Sequence, residues 1–295
     1  MRRPITTVVT ALVAAAATSV ALALPAGAIN SYNASPAPER TEVGAFVALW
    51  DNTGDGVPDR FDWVCTGIMV DDDTYLTAAH CTDDWPAGTR FFVSLEQDFQ
   101  SLIDAHATQP AAVQAALFLA NGWVVEGDTH QDPAYPGNSA DSHDIGVIDF
   151  ADRAVTPQDV WDFTPANLPT AGQLDQLGGR ALDAADWWAV GYGTEEAARG
   201  PGGHTHPGGG VRMKAVEDFN ALNKTWVRLA MNQSRGLGGA CYGDSGGPNF
   251  VQLGGRLVLA ATTITGDAPC YATNVAYRVD TPGARAFLAP YVALP

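Results

Sequence analysis

Three short stretches hold the residues best suited to chemistry. The first, "ACYGDSGGP", covers residues 240–248 and sets Ser245 after Asp244 and before two glycines. An alcohol is a poor nucleophile unless a base takes its proton and hydrogen-bond donors receive the negative charge that follows. Small residues let backbone N–H groups crowd towards that charge. A base and a buried acid are therefore needed elsewhere in the chain. The second stretch, "YLTAAHC", residues 75–81, ends a strand-like apolar run on His80 beside Cys81. The third, "SHDIGVIDF", residues 142–150, puts Asp144 at the head of another apolar run. A carboxylate there is costly to bury without a partner, and the imidazole of His80 is the natural one. A lone histidine is more often an ordinary surface or core residue; it is the surroundings of His80 that argue otherwise.

These groups must be positioned by strands. Apolar, β-prone runs recur at 45–50, 63–70, 89–95, 187–192, 225–231 and 257–263, separated by turn residues. The chain has 295 residues with 31 Gly and 19 Pro, which suits a loop-rich β protein better than a helical bundle. Residues 98–122, "DFQSLIDAHATQPAAVQAALFLANG", break the pattern with two helix-forming stretches interrupted by Pro110. This insertion either caps a cleft or decorates the β framework. Residues 199–210, "RGPGGHTHPGGG", read as an exposed flexible loop in which His204 and His206 are incidental rather than a metal-binding pair.

Composition narrows the partners and the compartment. A formal charge of −17 argues against nucleic acid as a partner, since phosphate binding needs a basic face. Arg2 and Arg3, an uncharged stretch to Leu24, and Pro25-Ala26-Gly27-Ala28 form a signal peptide over residues 1–28. The mature chain is expected outside the cell, with no membrane attachment. An even count of four cysteines, Cys65, Cys81, Cys241 and Cys270, suggests two disulfides. Zinc is the competing reading, but no C-x-x-C pair is present.

"LTAAHC", "HDIGVI" and "CYGDSGGP" together resemble the trypsin-like (chymotrypsin-fold) serine endopeptidases, in that family's order of His, Asp and Ser. The likeness runs from about residue 44 to the C-terminus. It implies an all-β fold of two six-stranded antiparallel β-barrels, approximately 44–155 and 165–280, with the active site in the cleft between them and the helical insertion added. Residues 29–43 form an N-terminal segment, and 44–295 the peptidase domain. The resemblance also implies bridges Cys65–Cys81 and Cys241–Cys270. In chemical terms Ser245 attacks a peptide carbonyl, His80 relays the proton, Asp144 orients the imidazole, and the N–H groups of Gly243 and Ser245 form the oxyanion hole. The implied partner is a protein or peptide substrate, met by a secreted monomer that requires no cofactor. A catalytically inactive homologue acting as an extracellular binding module is the alternative, although no triad member is missing.

In that family the residue six before the nucleophile lies at the base of the specificity pocket. Here it is Gly239, where a trypsin has aspartate. Gly266 is kept in the pocket wall, and Asn274 stands near another common pocket glycine. The pocket is therefore expected to be non-tryptic and to favour an apolar or small residue, unless Asp267 faces inward and restores a basic preference. Two further features need a structure. In "DNTGDGVPDRFD", residues 51–62, the residues Asp51, Thr53, Asp55, Val57 and Asp62 fall at calcium-loop positions. The third position is Thr, no Glu closes the loop and no helices flank it, so the plainer reading is an acidic hairpin, and calcium is a possible structural ion only. The chain also lacks the family's Arg-Ile-Val-Gly-Gly activation sequence. Cleavage after Ala28 would expose Ile29, whose ammonium would pair with Asp244. The sequence leaves open, and leans towards, an undistinguished leader with another device ordering Asp244.

Overall fold

A computed structural model describes residues 29–200 and 202–295. The signal peptide expected at 1–28 lies outside the described residues. A two-residue strand, β1 (Ser35–Pro36), leads into six strands: β2 (Val43–Trp50), β3 (Arg60–Met69), β4 (Thr74–Thr77), β5 (Arg90–Ser94), β6 (Val125–Gln131) and β7 (Gly146–Asp149). They close into an antiparallel barrel in the order β2-β3-β4-β7-β6-β5. The period of two is visible in β2. Ala45, Val47 and Leu49 enter one apolar cluster, while Phe46 enters another on the opposite side. Both faces of β2 are covered, so it reads as a nearly continuous apolar run.

The second half holds β8 (Trp187–Gly191), an exposed hairpin β9 (Ala198–Gly200) and β10 (Gly203–Thr205), then β11 (Met213–Leu222), β12 (Trp226–Ala230), β13 (Pro248–Leu253), β14 (Arg256–Gly266) and β15 (Thr273–Arg278). The sheet runs β11-β12-β15-β14-β13-β8, and pairing of β8 with β11 closes it into a second six-stranded barrel. β1 adds outside, against β11. The fold is thus the expected pair of six-stranded antiparallel barrels. The loop containing the two histidines is a short exposed hairpin over part of its length rather than wholly irregular.

The insertion forms two helices, α1 (Phe99–His106) and α2 (Ala111–Ala120). Asp98 caps α1 by accepting from the Ser101 N–H at 2.9 Å. Pro110 immediately precedes α2, where proline's fixed φ starts a helix and its missing N–H is not needed. Phe99, Ile103, Ala115 and Phe118 join Phe61 and Phe92 of the first barrel in one buried cluster. Phe118 meets Phe61 edge-on at 5.2 Å. The insertion therefore extends the barrel core instead of capping the cleft. Three further helices, α3 (Pro157–Val160), α4 (Gln173–Asp183) and α5 (Pro282–Leu288), lie outside the barrels. Among the described residues, no helix is long and apolar enough to cross a membrane.

Candidate active site

His80 and Asp144 are brought together by strand pairing. β4 and β7 are antiparallel neighbours, with Thr77 opposite Gly146. His80 lies just past the end of β4 on a 3-10 turn, Ala79–Cys81, and Asp144 lies just before β7, so both occupy the same end of the pair. Asp144 Oδ1 accepts from the His80 backbone N–H at 2.9 Å, and Oδ2 meets His80 Nδ1 at 2.8 Å. The acid is 7% exposed, so the contact works in a partly desolvated setting. Holding Nδ1 leaves Nε2 free towards the cleft. A disulfide, Cys65–Cys81, ties the turn carrying His80 to β3.

Ser245 sits in a turn before β13. It lines the same cavity as His80, a cleft of about 350 Å³ whose other walls are the 240–243 and 263–268 segments. A second disulfide, Cys241–Cys270, ties the Ser245 loop to the connection between β14 and β15. Both bridges pair as expected. Gly243 and Gly246 have φ of +91° and +78°, a conformation that side chains rarely adopt. A Cβ on Gly243 would also fall 2.4 Å from the Trp63 ring. The need for glycine thus comes from a crowded rear wall and the backbone twist.

The sequence model for the trypsin family matches residues 38–285. The chain belongs to the trypsin family. Two Drosophila melanogaster proteins, "Serine protease 1" and "Serine protease 2", are each 29% identical to it over 211 residues. The aligned part covers 67% of this chain and 64% of each relative, so less than two thirds of those proteins' length is matched.

Around this trypsin-family site the structure adds residues that carry no signal in the sequence. Thr66 on β3 donates its hydroxyl to the Gly243 carbonyl at 2.9 Å, while its own N–H donates to the Ser245 carbonyl at 2.9 Å. Trp63, behind Gly243, donates Nε1 to Gln100 Oε1 on α1 at 2.9 Å, so the insertion steadies the wall of the Ser245 loop. His143, next to Asp144, has φ of +51° and holds Asp132 Oδ2 through Nδ1 at 2.9 Å. Asp244 is 2% exposed and accepts from the Gly193 and Cys241 N–H groups at 2.8 Å each. Burial pushes its carboxyl up to about 7.

The N-terminal segment reaches the same region. Ile29 is fully buried and its N–H donates to the Gly193 carbonyl at 3.2 Å. Gly193 in turn donates to Asp244. The side chain of Asn30 accepts from the Gly239 N–H at 3.1 Å and donates to the Cys270 carbonyl at 3.3 Å. It therefore ties the Gly239 segment to Cys270, which lines the cleft.

The remaining expectations are placed as follows. Gly266 lines the cleft, whereas Gly239 and Asn274 do not. Asp267 is at the rim, and its carboxylate accepts from the N–H groups of Tyr271, Ala272 and Thr273 at 2.9, 2.9 and 2.6 Å. Three bonds from its own loop hold the carboxylate in place there. In the 51–62 loop, Asp51 accepts from the N–H groups of Thr53, Gly54, Asp55 and Gly56, and the Gly56 N–H, followed by those of Gly54 and Asp55 and the Thr53 hydroxyl, holds its carboxyl below the usual range. Asp62 belongs to β3, where it accepts from the Trp63 N–H and stands 3.5 Å from Arg60. Asp51, Thr53 and Asp55 are thus gathered in one tight loop, joined by the Val57 N–H on Asp55, while Asp62 has a different partner. His206 packs against the Tyr242 ring at 4.6 Å; His204 is exposed.

Proposed function

We propose that this trypsin-family chain is a secreted serine endopeptidase, working through Ser245, His80 and Asp144 and an acyl-enzyme intermediate. The observation that carries the reading is the double hold of Asp144 on His80, by backbone and ring, at the cleft that Ser245 lines. With Nδ1–H donated to Asp144, His80 Nε2 takes the proton from Ser245 Oγ as Oγ bonds to the substrate carbonyl carbon. The resulting oxyanion accepts from the N–H groups of Gly243 and Ser245. Collapse breaks the C–N bond, and His80 returns the proton to the leaving amine. Water then repeats the sequence on the ester and frees Ser245. Each oxyanion donor contributes about 3 kcal/mol of transition-state stabilisation.

None of these steps needs a cofactor. A calcium ion in this chain would be structural and would be held by Asp51, Thr53, Asp55 and the Val57 carbonyl, with Asp62 brought round from Arg60. The acting form is a monomer outside the cell, freed of residues 1–28, with a non-tryptic pocket in which Gly239 replaces the aspartate of trypsins.

The test is labelling by a fluorophosphonate together with casein hydrolysis, in wild type and Ser245→Ala. Labelling and hydrolysis in wild type, with both lost in Ser245→Ala, support the peptidase. A folded wild type that neither labels nor cleaves would instead be an inactive binding module.

A further inference from the structure

Beneath the cleft lies a layer of polar side chains where a barrel interior is ordinarily apolar. Glu217 comes from β11, Asn249 from β13, Thr263 from β14 and Asn274 from β15, and none is more than 5% exposed. Asn274 Nδ2 donates to Glu217 Oε1 at 2.9 Å and to Asn249 Oδ1 at 2.7 Å. Asn249 Nδ2 reaches the Thr263 hydroxyl at 3.0 Å; turned over, the same amide donates to Glu217 Oε2 at 3.0 Å. In either orientation the four side chains form one hydrogen-bonded cluster. Asn274 Oδ1 has no hydrogen-bond partner among the described residues, so Asn274 is held through its amide nitrogen, and breaking one of those bonds strands the acceptor opposite.

The cluster explains why position 239 is glycine. A Cβ there would lie 2.5 Å from Glu217 Oε1 and 2.6 Å from the Met231 sulfur. The space that an aspartate side chain would need is already taken. Thr263 belongs both to the cluster and to the lining of the cleft. Gly266, in the wall, pairs with Asn274 across β14 and β15. Asn274 does not line the cleft itself; it stands behind Gly266 and 3.5 Å from the Thr263 hydroxyl, both of which do.

Glu217 is poorly suited to be the counter-ion of a basic substrate side chain. It accepts from Asn274, and the Ala240 N–H also donates to it. Among the described residues it has no ion pair, and burial pushes its carboxyl up to about 8, so it is neutral at ordinary pH. We propose that Asn274, held in place by Glu217 and Asn249, fills the space behind Thr263 and Gly266 and thereby limits the depth of the specificity pocket, so that the enzyme cleaves after small uncharged residues. Asn274 is then the specificity-determining residue and Glu217 a positioning residue. The inference rests on the peptidase reading above and names its substrate class.

The test is a fluorogenic peptide library varied at the residue before the scissile bond, run on enzyme whose active fraction is first counted with a fluorophosphonate. Wild type should cleave after Ala, Ser or Val at least tenfold faster, in kcat/KM, than after Phe, Leu, Lys or Arg; a few methylenes in a pocket carry differences of roughly 10- to 200-fold. Asn274→Gly should raise the Leu and Phe rates relative to Ala by about tenfold or more. Glu217→Ala should loosen the preference in the same direction, and Glu217→Gln, whose amide oxygen can still accept from Asn274, should restore it. Labelled wild-type enzyme that prefers Lys or Arg makes Glu217 the counter-ion and overturns the proposal. A preference for Phe or Leu, or an Asn274→Gly profile like wild type, overturns it too. Wild-type enzyme that does not label at all overturns the peptidase reading instead, so the two failures are distinguishable. The wild-type profile needs no variant, and therefore decides the matter even if Glu217→Ala fails to fold.

Discussion

In the proposed mechanism Ser245 and His80 handle the same proton, so removing either should cost about as much as removing both. Ser245→Ala and His80→Ala should each lower kcat by roughly 10^4 to 10^6, with little change in melting temperature. Asp144→Asn keeps the shape but stabilises the wrong imidazole tautomer, and kcat should fall by about 10^4. Turnover by Ser245→Ala near the wild-type rate would show that another group is the nucleophile. Glu217 allows a second prediction at this scale. Its carboxyl is pushed up to about 8 in the fold, against about 4.3 in an unfolded chain. Folding therefore favours the neutral acid. That contribution is whole below the unfolded value and is lost as pH rises through 8. Glu217→Gln has no such dependence, so its melting temperature relative to wild type should climb from about pH 5 to about pH 9. A difference that stays constant across that range would mean that Glu217 is not held neutral.

At the scale of elements, the Ser245 loop is shaped by its neighbours as much as by its own glycines. Gly243 has φ of +91° and lies against Trp63, which Gln100 of α1 holds through its indole N–H. Gly243→Ala should displace the oxyanion N–H and lower kcat by about 10^2 to 10^3, with KM much less affected. An unchanged kcat would remove Gly243 from the oxyanion hole. The insertion has a different role. Phe118 of α2 is fully buried among Phe61, Phe99 and Trp123. Truncation to alanine leaves a cavity, and Phe118→Ala should lower the unfolding free energy by about 3–5 kcal/mol in a denaturant titration. That is a large share of the roughly 5–15 kcal/mol of an ordinary domain. The active fraction that remains folded should keep its kcat, since α2 supports the barrel and does not touch the cleft.

For the whole molecule, the question is what holds two barrels in the register that the site requires. Arg212, 2% exposed, donates to the carbonyls of Ala37, Val43 and Leu95 and to the Tyr192 hydroxyl. It thereby joins the N-terminal segment, the first barrel and the second. Ile29 and Asn30 make a further tie, to Gly193, which donates to Asp244, and to Gly239 and Cys270. Asp244 has two N–H donors but no cation among the described residues. Cleavage after Ala28 would supply one, because the Ile29 nitrogen already lies one hydrogen bond from Gly193, itself a donor to Asp244. Intact-mass analysis of the active secreted enzyme should therefore find Ile29 at the N-terminus. An added residue before Ile29 should reduce activity sharply, as leaving one partner of a buried pair alone costs about 3–5 kcal/mol. Full activity with a longer N-terminus would assign the ordering of Asp244 to its N–H donors alone.

Much of the site was legible from local sequence because its chemistry is written in contiguous residues. Ser245 with its glycines, His80 beside Cys81 and Asp144 before an apolar run each combine a reactive group with the small or apolar neighbours it requires. The strands were legible for a similar reason, since alternation along β2 and its relatives is a local property. Pro110 likewise marked where one helix of the insertion ends and the next begins. What sequence alone could not decide was whatever depends on residues far apart in the chain. Whether the insertion covers the cleft or the barrel turns on the packing of Phe118 against Phe61. The depth of the pocket turns on Glu217, Asn249, Thr263 and Asn274, which come from four strands and meet only when the second barrel closes. Asp267 looked capable of a pocket role, yet three backbone N–H groups of its own loop claim its carboxylate. A side chain's type is a local fact, but its partners, burial and protonation are set by the neighbours that closure of the barrels brings to it.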